Sequence, residues 1–86
     1  MSLRVMTYNV LDGGENREAR ILDVIRTARP DVVILQEVYT EDFLKFLSRP
    51  LKMNYYFGEG NKKRKTALLS KLPVLAFQSH RPVFPI

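Results

Sequence analysis

Two polar residues, Asn9 and Glu37, follow apolar runs in this sequence and are the side chains best placed to do chemistry. Asn9 lies near the end of the run over residues 3–10, and Glu37 closely follows the aliphatic residues 32–35. A charge next to such a run is costly to bury unless it is paired or binds a metal ion. Mg²⁺ is commonly held by one or two carboxylates together with waters and substrate phosphate. Glu37 is therefore a candidate magnesium ligand; the alternative is that it starts a loop and faces water.

The elements that would position this pair form a strand–helix–strand unit. The pattern predicts a strand over residues 3–10, a turn at Gly13 and Gly14, a helix over 15–29 and a strand over 31–36. Such a unit has parallel strands and a right-handed crossover, so the carboxyl ends of both strands share one sheet edge. Open α/β sheets build their sites at that edge. We expect Asn9 and Glu37 to lie there, within one bridging water or metal of each other.

Both faces of the first strand are mostly apolar, which predicts a central strand that is covered on both sides. Asn9 is the polar exception. By its residue type alone it could simply satisfy backbone groups at the strand end, where Asn is common. The helix that follows is predicted to end at Arg29, because Pro30 disfavours the α conformation in the residue before it.

The second half of the chain predicts one helix and three further strands. Thr40 has the residue type of an N-cap for a helix over 41–48, which Arg49 and Pro50 would end. The strands are predicted over residues 53–58, 66–70 and 74–80. The fold class is therefore α/β, a βαβ-led mixed sheet with two helices in a single domain, residues 1–86.

A run of basic residues occupies the loop between two of these strands: Lys62, Lys63, Arg64 and Lys65. Charged loop tips are ordinary features of protein surfaces. The same run could instead contact the phosphate backbone of a nucleic acid. The net charge of +5, from 14 basic and 9 acidic residues, suits an anionic partner but says nothing about the fold.

Length and composition exclude several classes of protein. The 86 residues allow one small domain, and the absence of cysteine excludes disulfides and thiolate metal sites. No run approaches the ~18 apolar residues of a membrane span. Residues 1–4 lead straight into a strand without the pattern of a signal peptide. These features predict a cytoplasmic protein with no membrane span.

Three segments carry a resemblance to a known family. They are Thr-Tyr-Asn-Val at 7–10, Pro-Asp-Val-Val-Ile-Leu-Gln-Glu-Val at 30–38 and Ala-Leu-Leu-Ser-Lys-Leu-Pro-Val at 67–74. In order and spacing they resemble the endonuclease/exonuclease/phosphatase family, metal-dependent phosphoesterases that include DNase I-like nucleases, abasic-site endonucleases, sphingomyelinases and inositol phosphatases. The resemblance covers nearly the whole chain but only the beginning of the family's fold. It implies the first part of a DNase I-like four-layer α/β sandwich.

The resemblance also implies Mg²⁺- or Mn²⁺-dependent hydrolysis of a phosphate ester. Glu37 would hold the metal, and Asn9 would contact the phosphate or orient the nucleophile. The family's later motifs, Asp-x-Asn and Ser-Asp-His, are absent from the sequence. His80 follows Ser79 without an Asp and comes far too early, so it is not given the catalytic role. We therefore expect the N-terminal portion of a phosphoesterase that is inactive alone.

Two functions from other classes stay open at this stage. One is a non-catalytic module that assembles with itself or with a second chain, and the other is a nucleic-acid-binding module that uses residues 62–65. Two helices can cover only one face of the sheet, and the open face would be a larger apolar patch than soluble monomers tolerate. Residues 82–86 are also apolar and resemble an interrupted chain. We expect a homo-oligomer, most simply a two-fold dimer, or a partner that supplies the missing part.

Overall fold

A computed structural model describes residues 3–58 and 65–73, which form a four-stranded sheet with two helices. In chain order the elements are β1 (Val5–Asn9), a 3₁₀ turn (Asp12–Gly14), α1 (Glu18–Ala28), β2 (Val32–Val38), α2 (Glu41–Leu51), β3 (Asn54–Phe57) and β4 (Lys65–Ser70). The sheet order is β1-β2-β4-β3; β1 is parallel to β2, and the other pairs are antiparallel. The predicted α/β class and βαβ start are confirmed. The strand predicted over 74–80, with His80, lies outside the described residues.

The hydrophobic core lies between one face of the sheet and both helices. Ile21 and Ile25 are spaced to share one face of α1, and both are buried. Thr40 caps α2 as predicted, because its Oγ1 accepts a hydrogen bond from the Phe43 N–H at 3.3 Å. The sheet and α2 contribute the other central side chains: Val33, Leu35, Phe43, Leu44, Leu47, Ala67 and Leu69. Truncating a fully buried leucine such as Leu47 to Ala would cost about 2–5 kcal/mol.

β1 lies at an edge of the sheet that the described residues form, so within that sheet the prediction of a central strand covered on both sides is wrong. Met6 and Tyr8 pack against the core, but Val5 on the opposite face is 54% exposed. That opposite face continues across β2 through Val32 and Ile34. No described element covers it, since both helices pack on the other side. Apolar residues on both faces of a strand indicate that both faces are stabilised by burial. They do not indicate that the described elements bury both.

α1 begins three residues later than predicted and ends at Ala28, one residue before the predicted end at Arg29. Asn16 has a left-handed φ of 62°, which interrupts any right-handed helix that starts before it, and α1 begins at Glu18. At the other end Arg29 has φ 53°, outside the right-handed helical region, immediately before Pro30. The exclusion of the α conformation before a proline is therefore confirmed.

α2 continues through Pro50 to Leu51, so the prediction that Pro50 ends this helix near residue 48 is wrong. The turn closes instead at Lys52, which takes a left-handed φ of 56°, while the Met53 N–H donates to the Ser48 carbonyl at 3.0 Å. This pattern is a common helix C-terminus, and Pro50 lies inside the last turn. Neither described helix, each of 11 residues, has the length and apolar character needed to cross a bilayer.

Asp31 fixes the parallel register of β1 and β2. Its backbone N–H donates to the Arg4 carbonyl at 2.9 Å, and its carboxylate accepts from the Arg4 backbone N–H at 2.9 Å. These two bonds align the starts of the two strands. The alignment ends with Asn9 of β1 opposite Gln36 of β2.

Candidate metal site at the carboxyl edge of the sheet

Asn9 and Glu37 meet at the carboxyl edge of β1 and β2. The register pairs Asn9 with Gln36, and the Val10 N–H donates to the Gln36 carbonyl at 3.1 Å. Glu37 follows one residue beyond that pair, and the Asn9 Nδ2 donates to its Oε2 at 2.8 Å. The two side chains predicted to share one sheet edge therefore do so, in direct contact rather than through a bridging atom.

A β-bulge in β2 aims the Glu37 side chain toward Asn9. Leu35 pairs with Ala67, but the next pairing along β2 is Val38 with Lys65, so two residues of β2 lie opposite one residue of β4. Without the bulge, simple alternation would put Glu37 on the same face as Leu35, against the helices. Because of the bulge, Val38 takes the buried position and the half-buried Glu37 turns toward β1.

Glu37 holds this position with a backbone φ of 63°. That left-handed conformation is uncommon for any residue other than glycine, and bulges that require it usually contain glycine. Keeping a side chain there costs roughly 1–2 kcal/mol. Strained residues of this kind concentrate at functional sites. Four other described non-glycine residues share a positive φ, but they lie in turns or at helix ends, so Glu37 is distinguished by holding this conformation within a strand.

The other end of the Asn9 amide fixes the loop that follows β1. The Asn9 Oδ1 accepts a hydrogen bond from the Leu11 backbone N–H at 2.9 Å, and Arg17 Nη2 donates to the Leu11 carbonyl. Asn9 thus does satisfy a backbone group at the strand end, as the structural alternative expected. Its Nδ2 donates a hydrogen bond to the Glu37 carboxylate at the same time. With both ends of the amide engaged, the side chain cannot rotate without breaking a hydrogen bond.

Sequence reasoning missed how Gly13, Gly14 and Arg17 shape this loop. The two glycines have φ of 74° and 70°. A Cβ on Gly13 would lie 2.7 Å from the Tyr39 side chain, and one on Gly14 would lie 2.7 Å from the Phe43 side chain. The Gly-Gly pair was the available signal for this close approach of backbone to side chains. No feature of the sequence around Arg17 predicts that this arginine, rather than another one nearby, would bond to the loop.

The donor chemistry of this edge suits a hard divalent cation held by a single protein carboxylate. Glu37 offers oxygen ligands, the kind that Mg²⁺ and Mn²⁺ prefer. Within residues 3–58 and 65–73, no group of three or more His, Cys, Asp or Glu side chains converges on one point. An ion at Glu37 would therefore take its remaining ligands from waters and substrate phosphate, as Mg²⁺ commonly does.

The last residue of the basic run lies at this same edge of the sheet. Lys65 opens β4 opposite Val38, the residue after Glu37. Its Nζ lies 4.9 Å from the centroid of the Phe57 ring, within the range of a cation–π interaction. Lys65 was predicted in the loop, and the structure places it in the first position of the strand. The rest of the run lies outside the described residues: Lys62, Lys63 and Arg64.

Comparison with protein families gives a match over almost the whole chain. The model of the endonuclease/exonuclease/phosphatase family matches residues 6–85. No curated protein matches the sequence. Among solved structures, an endonuclease/exonuclease/phosphatase from Beutenbergia cavernae is similar, with a TM-score of 0.65 and 23% identity over 87% of this chain and 27% of that one.

Two further solved structures have a similar arrangement. Truncated TDP2 from Caenorhabditis elegans gives a TM-score of 0.61 and 24% identity, over 79% of this chain and 29% of that one. Humanized TDP2 from D. rerio gives a TM-score of 0.61 and 24% identity, over 80% of this chain and 30% of that one. The chain spans less than a third of the length of each of these structures. At these identities the likeness shows the fold.

Proposed function

The chain belongs to the endonuclease/exonuclease/phosphatase family, and we propose that it forms the metal-binding N-terminal part of a phosphoesterase. The observation that carries the proposal is the 2.8 Å hydrogen bond between Asn9 Nδ2 and Glu37 Oε2, made by a glutamate whose φ is 63°. A hydrogen bond that served stability alone would gain little from a residue that strains the backbone. The pair also lies at the edge where α/β sheets place their sites.

In this proposal Glu37 holds Mg²⁺, for which Mn²⁺ can substitute. When bound, the ion polarises a phosphoryl oxygen and stabilises the negative charge that develops there. Asn9 keeps the Glu37 carboxylate turned toward the edge from which a substrate approaches. The second amide hydrogen of Asn9 can donate to a phosphate oxygen. These roles require only the geometry of Asn9 and Glu37 and a phosphate ester, which can belong to a nucleic acid, a lipid or an inositol phosphate.

The 86-residue chain alone is proposed to bind a phosphate ester without hydrolysing it. Metal-assisted hydrolysis needs a positioned nucleophile as well as a Lewis acid. The family's Asp-x-Asn and Ser-Asp-His motifs, which resemblance assigns to water activation and phosphate binding, do not occur in the sequence. The residues that complete the reaction would come from polypeptide other than residues 1–86.

Binding and hydrolysis can be measured together with bis(4-nitrophenyl) phosphate. We expect the chain to broaden the phosphorus NMR signal of this ester only when Mg²⁺ is present, with an affinity of about millimolar for a site with one carboxylate. We expect no release of 4-nitrophenolate above a blank with Mg²⁺ alone. Glu37→Gln should abolish the broadening, because it removes the charge and keeps the shape.

Asp23→Asn is the matched control for this measurement. It removes the same charge from an exposed carboxylate of α1, away from the sheet edge, and should leave the broadening unchanged. Broadening that survives Glu37→Gln would contradict the metal site. Mg²⁺-dependent release of 4-nitrophenolate that Glu37→Gln abolishes would keep the site but contradict the inactivity of the isolated chain.

A nucleic acid is the phosphate ester that the basic run favours, because Lys65 brings the end of that run to the same edge as Glu37. If all four basic residues contact phosphates of a duplex, the logarithm of the binding constant should fall with the logarithm of salt concentration at a slope of about −3.6. This slope should become shallower when all four residues of the run are changed to glutamine, namely Lys62, Lys63, Arg64 and Lys65.

The matched control changes four basic residues that lie away from this edge to glutamine, namely Arg26, Arg29, Lys52 and Lys71. Binding that does not depend on salt, or that only the control weakens, would contradict the assignment.

A further inference from the structure

A cleft of about 590 Å³ opens on the helix side of the sheet, between the 3₁₀ turn and the first turns of α1 and α2. Its lining is aromatic and acidic, with Tyr39, Phe43 and Phe46 beside Glu15, Glu18 and Asp42. This volume falls within the range of binding pockets, which combine apolar walls with a few polar groups. The function proposed above uses none of these residues.

The carboxylates of Glu15, Glu18 and Asp42, here called the acidic end, give the cleft its charge. Across the described ranges, none of them forms an ion pair with a lysine or arginine. Two helix N-termini flank the cleft, and each is equivalent to about +0.5 of a charge. Three formal negative charges exceed that total of about +1. The cleft therefore favours a cation, and the carboxylates do not converge closely enough to hold a metal ion.

The cleft continues along α2 past Phe46. A second depression of about 540 Å³ shares Asp42 and Phe46 with the first and adds Lys45, Arg49 and Pro50. Phe46 is 45% exposed in the middle of the combined groove. Phe46 continues the aromatic lining formed by Tyr39 and Phe43, and an apolar patch rimmed by polar residues is typical of a protein-binding surface. The groove thus has an acidic end, an apolar centre at Phe46 and a basic end at Lys45 and Arg49.

We propose that this groove binds an extended segment of a partner polypeptide that carries a basic, an apolar and an acidic residue in that order. The basic side chain would lie among the carboxylates and aromatic rings of the acidic end, where ion pairing and cation–π contact act together. The apolar side chain would cover Phe46, and the acidic one would face Lys45 and Arg49. Opposite charges at the two ends of an elongated groove fit a peptide better than a compact small molecule.

The peptide N-acetyl-Arg-Gly-Leu-Gly-Glu-amide is a suitable probe. Titrated into the isotope-labelled 86-residue chain, it should shift the backbone amide NMR signals of Gly13, Thr40 and Phe46. Glu18→Gln should weaken binding about threefold, the usual effect of one exposed ion pair. Asp23→Asn removes the same charge from the same helix outside the groove and should leave the affinity unchanged. An unchanged pattern of dispersed signals would show that each variant is folded.

A second peptide, with citrulline in place of arginine, completes a double-mutant cycle. It has the same shape without the charge, so the wild-type chain should bind it about threefold more weakly, and Glu18→Gln should cause no further loss. Equal affinity for the two peptides would overturn the proposal. So would equal effects of Glu18→Gln and Asp23→Asn, or the absence of groove shifts at about 10 mM peptide, where even millimolar binding would be visible.

Discussion

Asn9 is suited to its position because one short side chain must both donate and accept there. Its Nδ2 donates to the Glu37 carboxylate, and its Oδ1 accepts from the Leu11 N–H. An ionised aspartate has no hydrogen to donate and would repel Glu37. Only an amide of this length meets both demands at the end of β1. The residue type therefore follows from the local geometry, whatever substrate the site takes.

The left-handed backbone of Glu37 can be tested apart from its carboxylate. Glu37→Asn and Glu37→Val both remove the carboxylate, but Asn tolerates φ near 63° and the β-branched Val does not. We expect the Val variant to be less stable than the Asn variant by about 1–2 kcal/mol. Urea unfolding followed by circular dichroism measures the difference. Equal stability of the two variants would mean that residue 37 does not adopt this conformation in solution.

At the scale of elements, the sequence predicted which segments form strands better than the details of their pairing. The aliphatic residues 32–35 indicated a strand, and Pro30 indicated the end of the helix before it. The bulge at Glu37 was not predictable, because it depends on how β2 pairs with β4, and that partner is about thirty residues away in the sequence. Both residues of the candidate site were predicted, but the strain that marks Glu37 arises from this long-range pairing.

Tyr55 ties β3 to the first turn of α2. Its hydroxyl donates to Glu41 Oε2 at 2.5 Å, and this bond, aided by burial and by the negative charge of Glu41, raises the pKa of Tyr55 above 10.0. Because the pKa is raised in the folded state, the bond stabilises the fold fully below pH 10 and is lost as the pH rises through the folded pKa. Glu41→Gln should bring the pKa of Tyr55 back toward 10.

Carbon NMR of labelled tyrosine rings follows this titration, and Tyr55→Phe assigns the signal. The stability advantage of the wild-type chain over Tyr55→Phe should also be lost at a pH above the folded pKa, since the ionised phenol no longer donates and is repelled by Glu41. A Tyr55 signal that titrates at the same pH with and without Glu41 would refute the bond between α2 and β3.

For the molecule as a whole, the open face of the sheet predicts assembly. Val5 is 54% exposed on a face that no described element covers, and no described strand pairs with the outer edge of β1. We expect the isolated chain to form a two-fold dimer that buries about 1,200–2,000 Å² in total. Light scattering should show this dimer, and Val5→Lys should weaken it because a charge would enter the apolar contact.

Val24→Lys provides the control for the assembly prediction. Val24 is also an exposed aliphatic residue, at 37%, but it lies on α1 rather than on the open face. Its replacement should leave the dimer intact. A monomer that stays soluble at high concentration and unfolds cooperatively would contradict the assembly prediction and indicate a self-sufficient α/β domain.

The most direct test of the metal site is the position of a bound Mn²⁺ ion. Paramagnetic Mn²⁺ broadens the NMR signals of the nuclei nearest to it. We predict the strongest loss of amide signals at Asn9, Leu11 and Glu37. Excess Mg²⁺ should compete with Mn²⁺ and restore these signals. Glu37→Gln should abolish the broadening, and Asp23→Asn should leave it unchanged. Broadening centred on the acidic end of the groove, or broadening at the sheet edge that survives Glu37→Gln, would contradict the assignment of Glu37 as the metal ligand.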